Sequence, residues 1–144
     1  MELIVFNFLG GTYAIELKKT KVILVHSQTN ITPLHNENPW ISGLINLRGD
    51  VAPIVDLRVK FGNSEPSFTE DTVIIIVKTK DEKLIGMVVD CIESIKDIDI
   101  SLITSPPELG IGINPEYITG LYKNNDVEMI TILDVDKILQ DKEL

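Results

Sequence analysis

The chain is poor in the residue types that carry most catalytic and metal chemistry. Among its 144 residues there is one cysteine, Cys91, and there are two histidines, His26 and His35. A lone cysteine forms no internal disulfide, and the histidines stand in no zinc-ligand spacing, which sets metal centres and thiol nucleophiles aside. Cys91 is expected to be a small buried apolar residue. Gly110-Ile111-Gly112 lacks the lysine and the strand-to-helix context of a phosphate loop and is read as a turn. With no nucleophile elbow, EF-hand loop or dinucleotide fingerprint either, the expectation is a protein that is not an enzyme and takes no cofactor.

Positive charge and aromatic rings are also scarce. Thirteen basic residues face 22 acidic ones, for a formal net charge of −9, and a single tryptophan is present. Such a surface repels nucleic acid and anionic bilayers, and it lacks the basic, aromatic face of a nucleic-acid-binding barrel. The best local basic stretch, Lys18-Lys19-Thr20-Lys21, is read as the solvated start of a strand. No apolar run approaches the roughly 20 residues of a membrane span, and Glu2 opens a strand-like segment with no basic leader. A cytoplasmic protein without direct membrane insertion is expected.

What the chain does have is apolar strand-forming sequence, with 44 per cent hydrophobic residues. A domain of this length can bury about two-thirds of its unfolded surface. Glu2 to Leu9, a Gly10-Gly11 turn and Tyr13 to Leu17 read as a hairpin. Val22 to Val25 and Ile31 to Leu34 are weaker strands. Asn38-Pro39-Trp40-Ile41 reads as one helical turn capped by the asparagine. Val73 to Val77 is a continuous apolar run suited to a strand buried on both faces, followed by Leu84 to Val89 and Cys91 to Ile95. Ser105 to Pro115 is loop. Val135 to Leu139 has the spacing of a short helix with Asp134 as its N-cap.

The segment Ile41 to Phe61 is the most informative. Arg48-Gly49-Asp50 is a tight turn between two apolar strands, in which glycine supplies a positive backbone angle and aspartate a local cap. The pattern recurs: Ile118-Thr119-Gly120-Leu121 echoes Ile41-Ser42-Gly43-Leu44, and Ile132-Leu133-Asp134 echoes Ile54-Val55-Asp56. Offsets of roughly 70 to 77 positions point to two copies of one small β unit. The halves are 1–62 and 72–144, joined by a polar linker over 63–71. Asp56, Asp90 and Asp134 each follow an apolar strand. They could work as acid and base if held within roughly 5 to 9 Å of each other, but turns and caps are the simpler roles. Arg48, a planar and permanently charged fork in a turn, suits a carboxylate on a partner or on the other half of the chain.

Gly43-Leu44-Ile45-Asn46-Leu47-Arg48-Gly49, followed by Val51-Ala52-Pro53-Ile54-Val55-Asp56-Leu57-Arg58 and Lys60-Phe61-Gly62, closely resembles the signature of the CheW family of bacterial chemotaxis adaptors. The likeness continues through Tyr13-Ala14-Ile15, Ile85-Gly86-Met87-Val88-Val89-Asp90 and Tyr117-Ile118-Thr119-Gly120-Leu121. The resemblance implies an all-β domain of two intertwined five-stranded SH3-like barrels with a short C-terminal helix, around a shared apolar core. It implies no catalysis. Its partners would be the regulatory domain of the histidine kinase CheA and the cytoplasmic tip of a chemoreceptor (a methyl-accepting chemotaxis protein), in arrays at the inner face of the membrane. Asn46, Arg48 and Gly49 carry over to the family's key turn. The wall of an apolar groove taking the receptor's helices would include Val22, Val25, Val73, Val88 and Ile92. One departure stands out: family members commonly place a glutamate in the strand at 22–25, and this chain has Leu24, so Arg48 needs another acceptor. The alternatives are a CheW-like scaffold of another kinase-run pathway, a fragment of a larger protein with a receiver domain, or a stand-alone SH3-like protein-binding module. An end at Leu144, just after the terminal helix, favours the isolated scaffold.

Overall fold

Runs of β-branched and aromatic residues punctuated by Gly, Asn and Asp favour short strands, and a computed structural model of the chain is built from them. It describes residues 1–34, 38–62, 65–105 and 113–139. The strands are β1 (Glu2–Phe8), β2 (Gly11–Glu16), β3 (Thr20–Val25), β4 (Thr32–Pro33), β5 (Ile41–Leu47), β6 (Asp50–Asp56), β7 (Val73–Lys78), β8 (Leu84–Val89), β9 (Cys91–Asp97), β10 (Ile118–Lys123) and β11 (Met129–Leu133). Helix α1 (Leu57–Gly62) follows β6, and α2 (Val135–Leu139) follows β11. Asp134 caps α2 as expected, accepting from the Lys137 amide at 3.2 Å. The Gly110-Ile111-Gly112 turn and residues 63–64 of the linker lie outside the described residues.

The strands form two sheets, one of five strands in the order β10-β11-β2-β1-β9 and one of six in the order β3-β7-β8-β6-β5-β4. Each sheet is built from a hairpin (β1-β2 or β7-β8), a parallel neighbour closing onto its second strand (β11 or β6), that neighbour's own hairpin partner (β10 or β5), and an outer strand (β9 or β3). The hairpin of the first half therefore sits in the sheet made mainly by the second half, and the reverse. That exchange is what intertwines the two units. The sixth strand, β4, is two residues long, and its counterpart in the other sheet is the single bridge Thr104 to Leu121.

The repeat extends to the crossings. A Cβ on Gly43 would lie 2.2 Å from the Thr32 carbonyl oxygen, and one on Gly120 would lie 3.0 Å from that of Thr104. In both units a segment passes over its strand at a distance that leaves no room for a side chain.

Three apolar clusters explain why the strands are so uniformly hydrophobic. Leu3, Val5, Ala14, Ile130 and Ile132 fill the inside of the first sheet. Ile45, Ala52, Ile54, Ile74, Ile76 and Val88 fill the inside of the second. Between the sheets lies a larger core shared by both, with Ile4, Phe6 and Phe8 from β1, Ile75 and Val77 from β7, and Leu57 and Ile138 from the two helices. Side chains alternate along a strand, so β1 and β7 feed an inner cluster with one face and the shared core with the other. The Val73 to Val77 run is thus central, between β3 and β8, with Ile74 to Val77 fully buried.

Two local expectations give way. Asn38 to Ile41 forms a turn closed by the Ile41 amide on the Asn38 carbonyl at 3.2 Å, because Ile41 is already needed in β5. Cys91 is half-buried rather than buried, and its sulfur accepts from the Asn7 side-chain amide at 3.5 Å.

Candidate partner-binding site

The β5-β6 hairpin closes with Leu47 opposite Asp50, leaving Arg48 and Gly49 as a two-residue loop with φ of 52° and 91°. Consecutive positive φ values identify the turn that matches strand twist, whose preferred sequence is Asn-Gly or Asp-Gly. The cap comes from upstream: the Asn46 side-chain oxygen accepts from the Gly49 amide at 2.9 Å. Arg48 is exposed, and none of the ion pairs among the described residues uses it. A bulky residue held left-handed costs about 1 kcal/mol, so the turn itself gives no reason for an arginine at its apex. Leu24 packs against the same inner cluster as Leu47, the residue before Arg48, and offers the guanidinium no carboxylate.

The apolar wall divides. Val22 and Val25 are 39% and 38% exposed on β3, an outer strand, together with Ile23 at 39%. Val73 stands opposite Val25 on β7 and is half-buried against the shared core, as is Ile92 on β9. Val88 does not belong with them: it is 0% exposed, turned into the inner cluster of the second sheet, and presents no surface to a partner. The counterpart outer strand, β9, carries Glu93, Lys96 and Asp97, charges that blunt a sheet edge against pairing. The β3 edge has one charge, Lys21, and a run of partly exposed Val22, Ile23 and Val25, whereas on β9 the exposed apolar residue Ile95 stands between charges.

Sequence reading passed over the most elaborate polar site, which lies at the β6-α1 junction. Arg58 is buried, and its Nε and Nη2 donate to the two oxygens of Asp56 at 3.0 and 2.9 Å. Its Nη1 donates to Asp90 at 2.9 Å and to the Ser67 carbonyl at 2.6 Å. Burial works against its charge, but the hydrogen bonds to Asp56 and then Asp90 outweigh it and hold the guanidinium above its ordinary range. The Phe68 ring lies 4.8 Å from the guanidinium carbon and stacks on His26 with ring centroids 4.3 Å apart. Burial, then the Arg58 charge, push the His26 imidazole below its ordinary pKa. The signal available in the sequence was Asp56-Leu57-Arg58 with a further acid, Asp90, at the end of an apolar strand. Two of the three strand-end aspartates thus share one arginine, an arrangement that ties the β6-α1 junction to the end of β8.

The β11-α2 junction is the counterpart. Asp136 accepts from Lys19 in a close ion pair and from the Lys80 backbone amide at 2.8 Å. Burial pushes its carboxyl up, but the bonds from Lys19 and Lys80 prevail and hold it below the usual carboxylate range. The hydrogen bond to Asp136 in turn raises the Lys19 ammonium.

No group of three or more His, Cys, Asp or Glu residues able to hold a metal occurs among the described residues, and no helix among them is long and apolar enough to cross a membrane. A double-sheet β module whose distinctive exposed features are an arginine-tipped turn and an apolar outer strand belongs to the class of protein-contact scaffolds. Residues 2–143 match the CheW-like domain model, and the chain belongs to that family. It is 32% identical to the chemotaxis protein CheW of Klebsiella aerogenes over 143 residues, spanning 99% of this chain and 84% of that one. It is likewise 32% identical to that of Bacillus subtilis over 142 residues, spanning 99% and 88%. Its fold superposes on the crystal structure of the scaffolding protein TtCheW from Thermoanaerobacter tengcongensis with a TM-score of 0.82, at 28% identity, covering 93% of this chain and 84% of that one. The all-β architecture and its scaffold role in chemotaxis follow from this membership.

Proposed function

We propose that this chain couples the cytoplasmic tips of chemoreceptors to the regulatory domain of the histidine kinase CheA, by contact alone and without catalysis, within arrays at the inner face of the membrane. The observation that supports this best is Arg48: an exposed, left-handed arginine at the apex of an Asn46-capped turn, with no ion pair of its own among the described residues. Its five donors in a rigid fork fit a carboxylate on another protein. The exposed Val22 and Val25 on an outer strand, with Val73 and Ile92 beside the shared core, offer the apolar surface that the face of a receptor helix would cover. Val88 acts only from behind, by keeping β8 in place.

Interfaces smaller than the standard of roughly 1,600 Å² bind weakly singly. In an array each contact raises the effective concentration for the next, so weak contacts suffice for assembly. Titration calorimetry of the chain with the kinase regulatory domain and, separately, with a receptor-tip fragment tests the reading. Saturable binding to both supports it, and failure to bind either one refutes it.

A further inference from the structure

The antiparallel register of β3 on β7, with Thr20 opposite Val77, brings together two lysine groups about 60 positions apart in the chain. Lys18, Lys19 and Lys21 meet Lys78 and Lys80 around a shallow depression of about 340 Å³ that is completed by Thr79 and Glu82. Five of the chain's 13 basic residues thus line one concavity on a protein of net charge −9. Lys19 is held by Asp136, and Lys18 approaches Glu16 at 3.7 Å. Lys21, Lys78 and Lys80 have no carboxylate in ion-pair contact among the described residues. Asp136, which acts on both Lys19 and Lys80, and Glu82 in the lining offset only part of their mutual repulsion.

We propose that this lysine-lined depression docks an acidic segment of a protein partner, through lysines that lie outside the Arg48 turn and that meet β3 only at Lys21, ahead of its apolar residues. Charge complementarity selects the occupant. An anionic bilayer is flat and extended, so it meets the net negative charge of the rest of the molecule, whereas a short acidic segment senses charges within about 8 Å at physiological salt. Single-stranded nucleic acid binds through bases stacked on aromatic rings, and no aromatic residue lines the depression. Exposed lysines at the margin of an interface mainly accelerate encounter and set register. The contact is therefore strongly salt-dependent.

The test uses the full chain and a fluorescein-labelled hexaglutamate peptide, followed by anisotropy at about 50 mM salt. The double variant Lys21→Glu/Lys78→Glu should weaken binding at least about tenfold, while Lys123→Glu, an exposed lysine on β10 of the other sheet, should change it by less than about twofold. If the double charge reversal unfolds the chain, Lys21→Gln/Lys78→Gln serves in its place, with a loss of at least about threefold expected. Three results overturn the proposal: no peptide binding by the unaltered chain, equal losses at Lys123 and at the Lys21/Lys78 pair, or lysine-dependent capture by vesicles containing phosphatidylserine without peptide binding. Because the kinase and receptor-tip titrations are separate measurements, failure here leaves the coupling function standing, and the reverse also holds.

Discussion

The two strand-to-helix junctions are built on one plan with opposite charge. In each, an aspartate at the strand end gives its amide to a backbone carbonyl in the segment leading into the companion strand: Asp56 to Trp40 at 2.7 Å, and Asp134 to Tyr117 at 2.8 Å. In each, the side chain two positions on reaches across to the end of the parallel neighbour strand. That residue is Arg58 with Asp90 in one unit, and Asp136 with Lys19 in the other. The Ile54-Gly86 and Ile132-Ala14 registers put Lys19 within one position of the place Asp90 takes. The two junctions therefore share an ion pair at this point but not its polarity. The choice decides the surface: the arginine version is buried under Ser67 and Phe68, while the aspartate version leaves spare lysines facing solvent.

Removing either ion pair tests how differently the two junctions bear load. Arg58→Ala should cost the most, about 3–5 kcal/mol by urea denaturation, because it strands the buried Asp56 carboxylate. Arg58→Lys should recover only part, since an ammonium cannot replace the two-pronged contact. Lys19→Ala should cost about 1 kcal/mol, because Asp136 keeps the Lys80 amide as a donor. Equal losses at the two sites would contradict the distinction between a cation buried with its carboxylate and a partly exposed lysine whose buried partner keeps a second donor.

The pH response should differ as well, with smaller amplitude. Asp136 is held below its ordinary pKa, so its contribution is full above the ordinary carboxylate range and is lost as pH falls below it. His26 beside Arg58 is also depressed, so protonation is disfavoured in the folded state, and stability falls as pH drops through and below the ordinary histidine pKa of about 6.5. His26→Gln should flatten thermal stability between about pH 7 and 5.5 by well under 1 kcal/mol, and it should leave the acid response of the Lys19-Asp136 junction unchanged.

The strands were legible because their side-chain period is local. Val73 to Val77 is apolar at every position since both of its faces are buried, and Asp134 reads as a cap from the helix spacing after it. The Arg48-Gly49 turn was legible from glycine, although its cap came from Asn46 rather than Asp50. Helix α1 was not, because its six residues include Val59 and Phe61, which read equally well as a continuing strand. Long-range placement was hidden altogether. Nothing local shows that Lys78 and Lys80 join Lys18 to Lys21, that Arg58 reaches Asp90, or that Val88 points inward while Val22 and Val25 point out. Each depends on strand register fixed by tertiary packing.

Arg48→Asn tests the coupling reading most directly, since asparagine accepts the left-handed turn and keeps Gly49 in place while removing the guanidinium. The variant should melt at the same or a slightly higher temperature, since asparagine relieves the left-handed strain. In a reconstituted mixture of receptor membranes, CheA kinase and this chain, it should lose about tenfold or more of receptor-stimulated kinase activity, the effect of one lost charged contact. Full stimulation by a folded Arg48→Asn protein would contradict the account.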